Sequence, residues 1–172
     1  MLDGTDFKIL AELAENAKYS YADIGRKLSL HPNVVAYRVN KLEKAGIIKE
    51  YTTGVDLEKL GVAEQILVGA SFPRDVERDA IIEKIVAIPQ TVKVVSSLGE
   101  PESIVFLVGK NKSEIEKLMS KLRSLDLKIE YTGSIIRTFD EGRLGNFLKV
   151  LASEYENEHN RDGKNGSITK GG

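Results

Sequence analysis

The chain has 172 residues, 41% of them hydrophobic, enough to bury one sizeable core or two small ones, and it contains no cysteine. Disulfides, thiolate metal sites and cysteine nucleophiles are therefore excluded, and His31 and His159 are the two imidazoles available. A net charge of −1 and a pI near 6.2 exclude bulk attraction to nucleic acid, so any such affinity must be local.

No apolar run approaches the length that spans a bilayer, and the opening "MLDGTDFKIL" lacks the basic-then-apolar order of a signal peptide. A cytoplasmic location is the expectation. Between Leu2 and Asn16, Phe7, Ile9, Leu10, Leu13 and Ala14 recur at helical spacing, with Asp3 or Thr5 as the cap. Ser20-Tyr21-Ala22-Asp23 has the capping-box arrangement and opens a short second helix through Ile24 and Leu28. Ser29 and Leu30 leave room for only a tight turn before Pro32, which suits the first position of a third helix running to about Ala45. Gly46 stops it, and "IIKEYTT" follows as a short strand or wing.

From Gln65 the texture changes. "QILVGASF" reads as a strand, "DVERDAIIEKIVAI" as a helix closed by Pro89, and "TVKVVSSL" and "ESIVFLVG" as strands joined through Gly99-Glu100-Pro101. Ser113 to Glu116 offers a capping box for a helix whose Ile115, Leu118, Met119, Leu122 and Leu125 share a face, and a last strand covers roughly Lys128 to Phe139. Strand, helix, strand, strand, helix, strand is the split ferredoxin-like plan, helices on one sheet face. The other face is expected to pack on a second subunit, the alternative being cover by the C-terminal segment. That segment, "LGNFLKVLASEYENE", spaces Leu144, Phe147, Leu148 and Leu151 as a helix, and "HNRDGKNGSITKGG" has almost nothing to bury.

The predicted organisation is α+β: a winged helix-turn-helix DNA-binding domain over 1–50 and a linker strand over 51–64 precede a ferredoxin-like domain over 65–140. A C-terminal helix over 141–156 and a disordered tail over 157–172 complete it.

At 100° per residue, Val35, Val39 and Leu42 of the third helix face the preceding helices, while Asn33, Tyr37, Asn40 and Lys44 project away. An outer face of amides, a phenol and small apolar groups suits base edges in a major groove, although polar residues outside a helix are also ordinary solvation. Base readout is accordingly assigned to Asn33, Val34, Ala36, Tyr37, Asn40 and Lys44, and phosphate contact to Ser20, Arg26, Lys27, His31, Arg38 and Lys41.

These residues carry a resemblance. "LDGTDFKILAELAENAKYSYADIGRKLSL", then "VAYRVNKLEKAGIIKEYTTGVDLEKLG" with its "RV..LE..GII" and "D...LG", and "LGEPESIVFLV" are similar to the Lrp/AsnC (feast/famine) transcription regulators over roughly Leu2 to Phe139. The resemblance implies dimerisation through the sheets of a C-terminal RAM or ACT-like domain, further assembly to tetramers or octamers, and amino acids or related metabolites as effectors. It places the family's Gly-Asp-Tyr-Asp effector loop at Gly99, Glu100, Pro101 and Glu102, with a proline in place of the usual aromatic residue. His31 stands where the family usually has a capping serine and Val34 where threonine is common, and the extension after Phe139 exceeds the common length.

The expected function is a sequence-specific regulator binding pseudo-palindromic DNA as a dimer or higher oligomer, without metal or catalytic residues and without a cofactor other than an amino-acid effector. The Gly99 loop reads either as that effector site or as a plain hairpin turn. Two alternatives keep the same scaffold: an architectural DNA-organising protein, and an enzyme resembling the sirohaem decarboxylases. The latter wants a histidine in the C-terminal domain, where this chain has none.

Overall fold

The structure, a computed structural model, describes residues 2–136 and 143–165. They form two units, residues 2–53 with 143–165 and residues 54–136.

In the first unit, Asp3 and Asp6 close a reciprocal capping box, each backbone N–H donating to the other's carboxylate at 2.9–3.0 Å, and this starts α1 (Gly4–Glu15). Ser20 and Asp23 do the same for α2 (Tyr21–Leu28). The turn to α3 (Pro32–Lys44) places Ser29 in the left-handed region (φ 56°, ψ 42°), and Leu30 N–H returns to the Gly25 carbonyl at 2.8 Å. At the far end Ile47 N–H reaches the Leu42 carbonyl and Gly46 N–H that of Glu43, a Schellman closure that requires the positive φ (68°) Gly46 supplies. The core joins Ile9, Ile24, Val35 and Val39, with Leu13, Tyr19, Leu28, Leu30 and Ile48 packed around it.

The expected strand or wing over "IIKEYTT", and the linker strand over 51–64, are not strands here: none forms among the described residues before Glu64. Ile47 and Ile48 are spent on the helix closure and the core, and an extended segment gains no ladder without a partner edge.

The C-terminal helix α6 (Arg143–Asn165) finds its partner in α1. The two run antiparallel and approach closely through small residues. A Cβ on Gly145 would lie 3.0 Å from the Ala11 carbonyl oxygen, and one on Gly4 would lie 3.1 Å from Glu156 Cγ and 3.5 Å from the Ala152 carbonyl oxygen. Ala11 and Ala152 are buried, Phe7 and Tyr155 stack at a tilt with centroids 6.0 Å apart, and Lys8–Glu156 (2.5 Å) and Lys149–Glu15 (3.1 Å) pair along the edges. The helix therefore extends beyond the boundary expected at 156, into part of the segment read as a disordered tail. Once a helix is anchored by packing, each further residue adds a backbone hydrogen bond without a new nucleation cost. Residues 166–172 lie outside the described residues.

The second unit opens on a turn in which Asp56 accepts from Lys59 N–H at 3.1 Å and Gly61 takes φ 78°, a physical basis for the "D...LG" pattern. Then follow β1 (Glu64–Ser71), α4 (Arg78–Val86), β2 (Thr91–Ser96), β3 (Ser103–Gly109), α5 (Lys112–Arg123) and β4 (Lys128–Ser134). The sheet is antiparallel in the order β2-β3-β1-β4, which is the ferredoxin-like arrangement. Ile66, Val68, Ala70, Val105 and Leu107 face Ile81 and Ile85 of α4 and Leu118, Met119 and Leu122 of α5. Alternation directs Leu67, Ile104, Phe106, Val108 and Tyr131 to the opposite face, where the Tyr131 ring lies over Gly69 in space a side chain there would need. The cap of α5 is Asn111, which accepts from Glu114 N–H at 3.0 Å, rather than Ser113: the amide side chain two residues earlier already starts the helix, and Ser113 falls inside it. The last strand stops at Ser134, and Phe139 lies outside the described residues. Among the described residues no helix is long and apolar enough to cross a membrane.

Burial opposes the ionisation of Asp3, but hydrogen bonds from Arg38 and from Asp6 N–H outweigh it and hold the carboxyl below its ordinary value of 3.8. The stability this contributes is complete above that value and is lost as pH falls through the lower folded one. Asn at position 3 keeps the capping oxygen and removes the charge. Asp3→Asn is expected to lose stability less steeply than wild type below about pH 4 in urea titrations of the full chain across pH.

Candidate nucleic-acid interface

The third helix presents one side to the core and one to solvent. Val35, Val39 and Leu42 are buried, whereas Asn33, Tyr37, Asn40 and Lys44 are exposed along a single stripe, Tyr37 at 71%. Val34 is exposed and Ala36 half-buried on its flanks, so all six residues read as base-facing in the sequence stand on or beside this surface. Asn33 and Asn40 are seven residues apart, about 10 Å along the axis.

His31 is the N-cap of α3: its Nδ1 accepts from Asn33 N–H at 3.2 Å. A ring nitrogen can serve where the family's serine oxygen would, and the accepting role leaves the proton of the neutral ring on Nε2. Ser20 and Lys41 are exposed as well. Among the expected phosphate contacts, however, three cations are engaged within the fold. The Arg26 guanidinium pairs with Asp23. Lys27 Nζ lies 2.5 Å from Glu12 Oε2 and 3.9 Å from the centre of the Tyr19 ring, and those partners raise its pKa against a smaller desolvation effect.

Arg38 departs furthest from expectation. Its Nη1 donates to both Asp3 oxygens at 2.7 and 2.8 Å and to Asp6 Oδ1 at 2.7 Å, with its side chain 24% exposed and Asp6 at 1%. The structure thus places Arg38 between α3 and the start of α1 rather than with the outward cations. The assignment from periodicity put it on a flank, and a flank position is wet or buried according to what packs beside it.

Two residues that the sequence reading passed over shape this surface. Asp6 anchors Arg38. Gly25, inside α2, lies against the turn, where a Cβ would be 2.5 Å from the Leu30 carbonyl oxygen, so a side chain there would push α3 away from α2. An isolated glycine within the helical run "ADIGRKL" was the available signal.

The Gly99 loop of the second unit is held both by its own residues and by Phe72 and Arg78. Glu102 accepts from Phe72 N–H at 2.9 Å and from the Arg78 guanidinium, Ser97 N–H donates to the Glu102 carbonyl at 2.9 Å, and Ser97 Oγ donates to the Pro101 carbonyl. Gly99 takes φ 122°, and Glu100 is exposed. Among the described residues no group of three or more histidine, cysteine or carboxylate side chains is placed to hold a metal ion.

Residues 2–49 match the model of a winged helix-turn-helix DNA-binding family. Rv2324, an HTH-type transcriptional regulator of Mycobacterium tuberculosis, is 33% identical over 123 residues, which is 72% of this chain and 83% of that protein. LrpC of Bacillus subtilis shares the fold with a TM-score of 0.70 and 26% identity, over 81% of this chain and 97% of that one. The chain belongs to the Lrp/AsnC family. The α+β architecture of this Lrp/AsnC transcriptional regulator agrees with the expected fold class. LysM of Saccharolobus solfataricus, also an HTH-type transcriptional regulator, is 29% identical over 78% of this chain and 93% of its own length. NMB0573 of Neisseria meningitidis, a transcriptional regulator solved in complex with L-Met, has the same fold at 20% identity and a TM-score of 0.72, covering 81% of this chain and 92% of that one.

Gly25→Ala is expected to lower the thermal midpoint, by about 4–8 °C for each kcal/mol lost in a domain of this size, and to weaken DNA binding through the displaced α3. Melting and binding titrations on the same preparation check both.

Proposed function

We propose that this protein is a sequence-specific regulator that binds pseudo-palindromic DNA sites as a dimer or higher oligomer, each protomer laying α3 in the major groove of one half-site. The observation that carries the reading is the exposed stripe of Asn33, Tyr37, Asn40 and Lys44 on a helix whose opposite side is wholly buried. Val34 and Ala36 meet thymine methyl groups beside it, while Ser20, His31 and Lys41 contact phosphates, His31 through its Nε2–H. Arg26 and Lys27 reach the backbone only by sharing their existing carboxylate partners, and Arg38 serves the reading helix from behind.

The second copy docks on the outer sheet face. Leu67, Ile104, Phe106, Val108 and Tyr131 form an apolar surface on the side away from α4 and α5, and a face of this kind calls for cover. An amino acid or related metabolite acts as effector at the Gly99 loop, whose exposed Glu100 is available for an ammonium group while Glu102 holds the loop together. Sequence-specific regulation is preferred over an architectural role because the surface around α3 offers few unpaired cations, and indiscriminate binding depends on phosphate neutralisation.

Asn40→Ala is expected to flatten base preference across a panel of single-substitution sites while leaving the salt dependence of binding almost unchanged, since it removes a base contact and no charge. A variant that keeps the wild-type preference contradicts the assignment. Phe106→Glu is expected to convert the assembly to monomers in sedimentation analysis with the circular dichroism unchanged, and a variant that still sediments as wild type rejects the sheet face as the interface.

A further inference from the structure

The reading helix carries two side chains suited to a G·C pair, and the fold has taken both. Arg38 is the single arginine of α3, and an arginine bonded to O6 and N7 is the commonest reader of guanine. Its Nη1 is divided between Asp3 and Asp6 at 2.7–2.8 Å. Glu43 is the single carboxylate of α3, the group type that accepts from cytosine N4, and its Oε1 already accepts the Tyr51 hydroxyl at 2.7 Å. What the exposed stripe offers instead is two carboxamides and a phenol, flanked by the methyl groups of Val34 and Ala36. A carboxamide matches adenine N6 and N7, and small apolar groups match the thymine methyl.

The span from Asn33 to Asn40, about 10 Å, covers on the order of three base pairs. We infer that in each half-site the consecutive base pairs under Asn33, Tyr37 and Asn40 are A·T or T·A, and that guanine is admitted only at the end of the run, under Lys44. Asp3, Asp6 and Tyr51 contribute to this specificity without touching DNA, by engaging Arg38 and Glu43, the two groups suited to G·C. The inference rests on the proposal that α3 is the reading helix, and the test separates the two.

The full-length protein and Asn40→Arg are each used to select from a random duplex library at one near-physiological salt concentration, and the enriched sequences are then titrated. Position 40 is exposed, so the longer side chain meets no core. The expected wild-type motif has a run of A or T in each half-site, with each G·C replacement in the run weakening binding about 5- to 100-fold. The expected Asn40→Arg motif acquires guanine at one position of that run, which identifies the base pair under residue 40. A wild-type motif with guanine or cytosine fixed within the run overturns the inference and leaves α3 as the reader. An Asn40→Arg motif identical to wild type removes residue 40 from the bases and overturns the inference with it. Absence of any enriched motif from either protein overturns the reading of α3 itself.

Discussion

Asp6 is almost completely buried, and a buried carboxylate is tolerable only when it is paired and hydrogen-bonded. Its partner comes from α3, thirty-two residues along the chain, and that one requirement organises the first unit. Arg38 must turn inward to reach Asp6, and in doing so it also collects Asp3, the residue that caps α1. The start of the first helix and the middle of the reading helix are thereby fastened at a single guanidinium. The same constraint removes the strongest cation of α3 from the outer surface and leaves amides and a phenol to face outward. One side chain thus serves the packing of the unit and sets what the outer face of α3 presents.

The α1 helix passes this constraint on. Gly4 follows the capping Asp3 and is one of the two points at which α6 comes closest, the other being Gly145 against Ala11. Small residues at both crossings let the backbones approach, and the flanking pairs Lys8–Glu156 and Lys149–Glu15 fix the alignment along the axis. The surface pairs themselves contribute little stability, because exposed charges are well solvated when apart. Their effect is on register. The C-terminal helix α6 is thus packed against the helix that holds Arg38, and it adds buried surface to a three-helix unit that is small for an independent core.

What could be read in the sequence was what is local. The cap at Asp3, the capping box at Ser20, Pro32 at the start of α3, Gly46 at its end and the succession of strands and helices in the second unit each follow from residues a few positions apart. The fate of Arg38 depended on a carboxylate in another helix, and periodicity could only place it on a flank. The clash that a side chain at Gly25 would meet involves a carbonyl five residues later, in a turn whose geometry becomes definite only when both helices are packed. The tail composition argued against structure from 157 onward because it counts what a segment can bury. A helix already anchored through Ala152 and Tyr155 needs no such burial to continue. At the Gly99 loop the local pattern carried no sign that Glu102 bonds Phe72 N–H and Arg78, which stand 30 and 24 residues earlier in the chain.

The pairing of cations around α3 also bears on how affinity is built. With Arg26, Lys27 and Arg38 engaged by Asp23, Glu12, Asp3 and Asp6, the side chains of α3 that carry positive charge without an ion pair are Lys41 and Lys44. In the proposed mode of binding, a single protomer therefore releases few counterions, which makes for weak sequence-independent attraction to DNA. In the proposed mode of binding, affinity comes from base contacts and from the linkage of two or more copies of α3 in one assembly, where the second binds at a high effective concentration. The proposal thereby makes the apolar outer face of the sheet and the polar stripe of α3 depend on each other. A protein whose half-sites bind weakly alone responds steeply to whatever changes its assembly, and that is the property a regulator requires and a packaging protein does not.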